Sequence, residues 1–165
     1  ELYLDKGSNG VKGFTRGRIK SAEHLSDVIK RHPNYYASIR ASTDSIAGLK
    51  THIHRSFVRM KELYPKAIFP PVYFVIGALS SGGTSSDDAL IIGAEMYGLT
   101  ANTPKEELGD WLRTVIKPMS QAPHIVAHEL IHYQQNYDGG DLLSASVKEG
   151  SADFIAELIS GRHNE

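Results

Sequence analysis

The stretch Pro123-His124-Ile125-Val126-Ala127-His128-Glu129-Leu130-Ile131-His132-Tyr133-Gln134-Gln135 decides how this chain is read. No Gly or Pro interrupts the run from His124 to Asn136, and its apolar positions suit a buried helix over about 120–136. On a helix, His128 and His132 stand at i and i+4. They project from one face a turn apart, the spacing two imidazoles need to grip one ion. Glu129 lies beside that face, where it can take a proton from a metal-bound water. Two histidines and a glutamate buried without partners would carry a large desolvation penalty, so a shared task is the better reading. With no cysteine in the chain, any metal must be held by imidazole and carboxylate, a donor set that suits zinc.

A catalytic zinc takes three protein ligands and keeps a fourth position open. Two acids downstream compete for the third place. Glu149 opens Glu149-Gly150-Ser151-Ala152-Asp153 on an expected helix. Asp153, four residues on, could accept the ring N–H of a ligating histidine and fix its tautomer. Glu157, a further turn along, belongs to the same face or to a solvated one. The rival is Asp138, six residues after His132, where the short pattern HExxHxxGxxH or its Asp-ended variant places a ligand. That pattern needs glycine where this chain has Gln135, and a side chain is costly in left-handed backbone. His124, Tyr133 and Tyr137 are within reach of the site, or else pack the helix.

Working outward, Leu142 to Ser160 reads as a second helix with Gly161 as its C-terminal cap. Upstream, Val72-Tyr73-Phe74-Val75-Ile76 and Ala89-Leu90-Ile91-Ile92-Gly93 read as two strands, either a long-looped hairpin or sheet neighbours. The Gly/Ser segment from Ser80 to Ser86 between them fits no phosphate-binding pattern and reads as a lid or binding loop over the cleft. A substrate strand could add to an exposed edge near 72–77 or 88–95. Thr103-Pro104-Lys105-Glu106 forms a capping-box pattern, predicting a helix that ends before Pro118. Two further helical patterns run from Ala22 to Ile29, with Ser21 as N-cap and Pro33 as stop, and from Ile46 to Leu63, closed by Pro65. Residues 1–20, rich in Gly, Lys and Arg, read as irregular structure.

The 165 residues suit one domain, here 1–165, opening at Glu1 in the manner of a chain trimmed at one or both ends. A net charge of −1 gives no electrostatic reason to expect nucleic acid or an anionic membrane surface, and no apolar run is long enough for a membrane span. The expected fold class is α+β, with a small mixed or antiparallel sheet over the helix that carries the histidines.

HELIH followed by EGSAD on a second helix resembles the gluzincin arrangement of a zincin-like metallopeptidase. More closely, VYFVIG, GGT, LIIGAEM, PHIVAHELIHYQQ and EGSADFIAEL are similar to bacterial predicted zinc-dependent proteases related to gliding-motility lipoproteins. The likeness covers about half of the chain, from Val72 to Glu157. It implies Zn2+ held by His128, His132 and Glu149, with Glu129 as general base and Asp153 supporting a histidine. It also implies a peptide or protein substrate. The residues themselves fix no location; a secreted or periplasmic/cell-envelope one is the expectation. Two other outcomes stay open: a non-catalytic zinc-binding relative acting as an interaction module, and a metal-dependent hydrolase of another amide or ester.

Overall fold

The computed structural model describes residues 2–136 and 140–162. It is an α+β arrangement in which a mixed three-stranded sheet of order β1-β3-β2 lies between helices. The strands are β1 (Val72–Val75), β2 (Gly83–Ser85) and β3 (Leu90–Gly93). In chain order the helices are α1 (Leu2–Asp5), α2 (Asn9–Phe14), α3 (Ala22–Arg31), α4 (Pro33–Ser38), α5 (Arg40–Asp44), α6 (Lys50–Leu63), α7 (Asp110–Val115), α8 (Ala122–Gln134) and α9 (Leu142–Ser160).

β1 and β3 are parallel, with Val72 opposite Leu90 and Phe74 opposite Ile92, which rules out a hairpin between them. Parallel neighbours need a long crossover. Here residues 76–89 supply it, and part of that connection becomes β2, antiparallel to β3 with Gly83 opposite Ile92. The Gly/Ser segment expected as a loop therefore carries an edge strand. β3 is the centre of the sheet and cannot accept an added strand, which corrects the expectation that residues 88–95 could.

Side chains alternate across the sheet. Tyr73 and Ile91 turn towards α2, whose glycines let the helix come close: a Cβ on Gly10 would collide with that of Tyr73. Gly83 turns the other way, towards α8, where Ile125 and Glu129 meet it. β3 is thus covered on both faces and buried throughout, which explains its unbroken apolar run. Beneath the sheet, Val126, Leu130 and Ile131 of α8 are buried, each stabilising the fold by roughly 1.5–3 kcal/mol. Ala152 and Ala156 of α9, both fully buried, keep that helix close to α8, and α6 packs against both.

The N-terminal twenty residues are a correction. They form α1, α2 and a π-helical turn over Thr15–Ile19, because Val11, Phe14 and Ile19 are buried in the core. The Thr103 pattern is another: its hydroxyl accepts from the Thr100 N–H and donates to Gly98 O, closing a tight turn. Only a short 3-10 turn, Lys105–Glu107, follows, and α7 begins at Asp110. Pro33 ends nothing by itself; after the break at His32 it occupies the first turn of α4. The pattern from Ile46 opens as a 3-10 turn, Ile46–Leu49, before α6. Among the described residues, no helix is long and apolar enough to cross a membrane.

Candidate metal centre

α8 carries His128, Glu129 and His132 on the side facing α9 and β2. α9 begins from Asp141, whose side chain accepts from Ser144 N, and ends at Gly161 in left-handed backbone with φ 67°. Packed along α8, it brings Glu149 and Asp153 to the two histidines. Nε2 of His132 and Nε2 of His128 are 2.9 Å apart. Oε2 of Glu149 lies 3.2 Å from the first and 3.5 Å from the second. Around a tetrahedral zinc with bonds of about 2.05 Å, ligand atoms stand about 3.3 Å apart. The three observed separations bracket that edge length.

Hydrogen bonding to the far side of each ring fixes what those nitrogens present. Nδ1 of His128 donates to Oδ1 of Asp153 at 2.8 Å, since a carboxylate can only accept. Nδ1 of His132 is 2.7 Å from Oε1 of Gln135, whose amide nitrogen is committed as donor to Lys148 O and to Ser151 Oγ. That leaves the oxygen as acceptor, so the His132 proton is also on Nδ1. In their neutral forms both imidazoles then turn Nε2 lone pairs towards one another and towards a carboxylate oxygen. Such convergence is unfavourable until a positive charge, from a proton or a metal ion, stands between the three. The donor set fits a divalent metal such as zinc.

Glu129 is buried beside this cluster, and burial, the largest influence, pushes its carboxyl up to about 7. The nearby Glu149 adds to that rise, while His132 and Arg18 oppose it. The carboxyl packs tightly on β2: a Cβ on Gly83 would fall 2.8 Å from Oε1 of Glu129. A cleft of about 350 Å³ opens above, lined by the two histidines, Glu129, Glu149, the strand residues Gly83–Ser85, and the cations Arg18 and Lys148.

Other sequence candidates fall elsewhere. His124 is buried and leaves the cleft, with Nδ1 3.3 Å from Ser160 Oγ, and burial lowers its pKa. Glu157 acts electrostatically on His124 and is no part of the ligand cluster found among the described residues. The Tyr133 hydroxyl donates to Asp87 O, tying α8 to the connection before β3. Asp138 and Tyr137 lie outside the described residues.

Four residues were not singled out in the sequence. Gln135 stands in the sequence only as a departure from a glycine pattern, yet it orients His132. Gly83 lay inside a supposed loop. Arg18 lay in a segment read as irregular. Glu95, fully buried, accepts from the N–H groups of Gly77 at 2.8 Å and Leu79 at 3.2 Å, and so shapes the turn that leads into the crossover. A chemical signal exists only for Gln135, a polar side chain one turn from His132 of the HExxH pattern.

A family model described as gliding motility protein GldB matches residues 11–165. Comparison with curated proteins and with solved structures returns no match.

Proposed function

The chain belongs to the family of gliding motility protein GldB, and we propose that it is a zinc-dependent peptidase of zincin-like build. The observation that carries this reading is the convergence of His128 Nε2, His132 Nε2 and Glu149 Oε2 beside a buried acid at the floor of an open cleft. A purely structural zinc has no need of Glu129, whereas hydrolysis needs a base in that place. Family membership supports a place at the cell envelope, and it leaves the chemistry to the site.

When bound, zinc would polarise the scissile carbonyl and bring the pKa of a coordinated water towards ~7. The chain's own residues do the rest. Asp153 and Gln135 hold the imidazoles in the tautomer that presents Nε2. Glu129 takes the proton of the attacking water and returns it to the leaving amine. β2 is an edge strand at the rim of the cleft, the position at which an extended peptide can add to the sheet.

The test begins with protein purified without chelator. It should hold about one equivalent of zinc, lost in the His128→Ala/His132→Ala double variant. Glu149→Ala should lose most of the affinity, and Asp138→Ala little. Glu129→Gln should keep the metal and lose peptide cleavage by several orders of magnitude, roughly 10³-fold or more, since an amide cannot accept the proton. Wild-type zinc content in the double histidine variant would sink the assignment. Equal turnover by Glu129→Gln would remove Glu129 as base.

A further inference from the structure

We propose that Arg18 forms a carboxylate-binding subsite of this cleft, selecting peptides that present a carboxylate, from the C-terminus or from an acidic side chain, beside the bond to be cut. The inference rests on the peptidase reading and names its substrate class.

An exposed arginine needs no partner, so its place on the cleft rim carries little weight alone. The backbone that puts it there carries more. α2 does not end in an ordinary cap. The chain continues through a π-helical turn in which Lys20 N–H donates to Thr15 O at 2.7 Å. A γ-turn then closes it, with Lys20 at φ 71° and ψ −64° and Ser21 N–H donating to Ile19 O at 3.0 Å. This is the rare, strained hand of the γ-turn, in a region that side chains other than glycine's avoid. Buried Ile19 anchors the turn on one side of Arg18. The Ser80 hydroxyl donates to the Arg18 carbonyl at 3.2 Å on the other. Ser80 in turn follows Leu79, which is also held at positive φ, 53°. Two strained positions therefore flank the backbone that sets Arg18 on this wall of the cleft.

Charge gives the second argument. Lys148 faces the cleft from α9, and the two cations balance Glu129 and Glu149. A divalent ion on the histidines would leave the cleft cationic overall. Among the described residues no carboxylate forms an ion pair with Arg18, so its planar fork of donors remains for an incoming anion. Carboxylate is the group that fork matches in two parallel hydrogen bonds.

The experiment measures binding separately from turnover. Zinc-loaded Glu129→Gln protein is titrated with fluorescent peptides of one sequence, made with a free or amidated C-terminus and with Glu or Gln at each position. Carboxylate peptides should bind roughly 10-fold or more tightly than their neutral counterparts, the advantage shrinking with added salt. Loss of the advantage on amidation assigns the C-terminus, and loss on Glu-to-Gln exchange in the peptide assigns a side chain. Arg18→Gln should bring the ratio close to one, and Arg18→Glu should invert it in favour of neutral or basic peptides. Equal binding of both peptide classes, a preference that survives Arg18→Gln, or no binding by any peptide overturns the subsite. Cleavage by the Glu129-intact protein then separates the two readings. Neutral peptides bound and cut as well as acidic ones leave the peptidase and remove the subsite. An Arg18-dependent preference with nothing cleaved leaves the subsite and removes the peptidase.

Discussion

His128 and His132 each have one ring nitrogen committed before any ion arrives, and the two commitments differ in kind. Asp153 offers His128 a carboxylate, half exposed on α9, which adds negative charge as well as an acceptor. Gln135 offers His132 a neutral amide, tied by its own nitrogen to Lys148 and Ser151. Partners of ligating histidines commonly contribute 10- to 100-fold in metal affinity. Asp153→Asn should therefore weaken zinc binding by about that factor without abolishing it, because the asparagine oxygen can still accept. Gln135→Ala should weaken zinc similarly and also lower thermal stability, since it unties α8 from α9. Competition against a chromogenic chelator measures the first effect and thermal melting of the metal-free protein the second. Unchanged affinity in Gln135→Ala would mean that the His132 tautomer is set by something else. Complete loss in Asp153→Asn would make Asp153 a direct ligand.

At the scale of elements, what the sequence disclosed follows from where the information lies. α9 appears over Leu142–Ser160 as expected, because Gly161 and the apolar spacing are local signals. β1 and β3 were legible from their β-branched and aromatic runs. β2 was not, since Gly83, Thr84 and Ser85 carry no apolar signal and owe their strand conformation to pairing with β3. α2 was hidden for a related reason: Gly10 and Gly13 look like loop residues but are small so that the helix can reach Tyr73 and Ile91. His128 and His132 were legible as a pair because helical spacing alone sets them on one face of α8, whereas Glu149 reaches them only through the packing of α9. Arg18 and Gln135 depend on tertiary placement. The same logic makes Gly83 a test of how β2 serves the site. Gly83→Ala would place a Cβ 2.8 Å from Glu129 Oε1 and 3.0 Å from Ile125 Cγ1, so the acid must shift. Misplacing a catalytic group by about 1 Å can cost around 10²-fold in rate. The variant should keep its zinc and lose turnover on that scale. Full turnover would show that Glu129 has slack against the strand.

Across the whole molecule, the buried acid Glu95 links the sheet, the cleft rim and the N-terminal helices. Its carboxylate holds the turn at Gly77 and Leu79, while its backbone carbonyl accepts from the hydroxyl of buried Tyr35 on α4. Burial, opposed by these backbone donors, pushes its carboxyl from an ordinary 4.5 up to about 7. The direction of the linkage follows. Between those two values the folded protein keeps a proton that the unfolded chain has lost, so stability falls as pH rises from about 4.5 through about 7. Glu95→Gln removes the titration. It also leaves one of the two N–H groups facing an amide nitrogen, at a cost of about 1–3 kcal/mol at every pH. The variant should thus be less stable than the parent at pH 5, and the gap should narrow towards pH 8. The measurement is urea unfolding of both proteins without metal, because zinc binding brings a pH dependence of its own. Glu129 titrates in the same range in both proteins and cancels in the comparison. Stability profiles that stay parallel from pH 5 to 8 would show that Glu95 keeps one charge state throughout. Burial of Glu95 would then contribute no pH dependence to the stability of the fold.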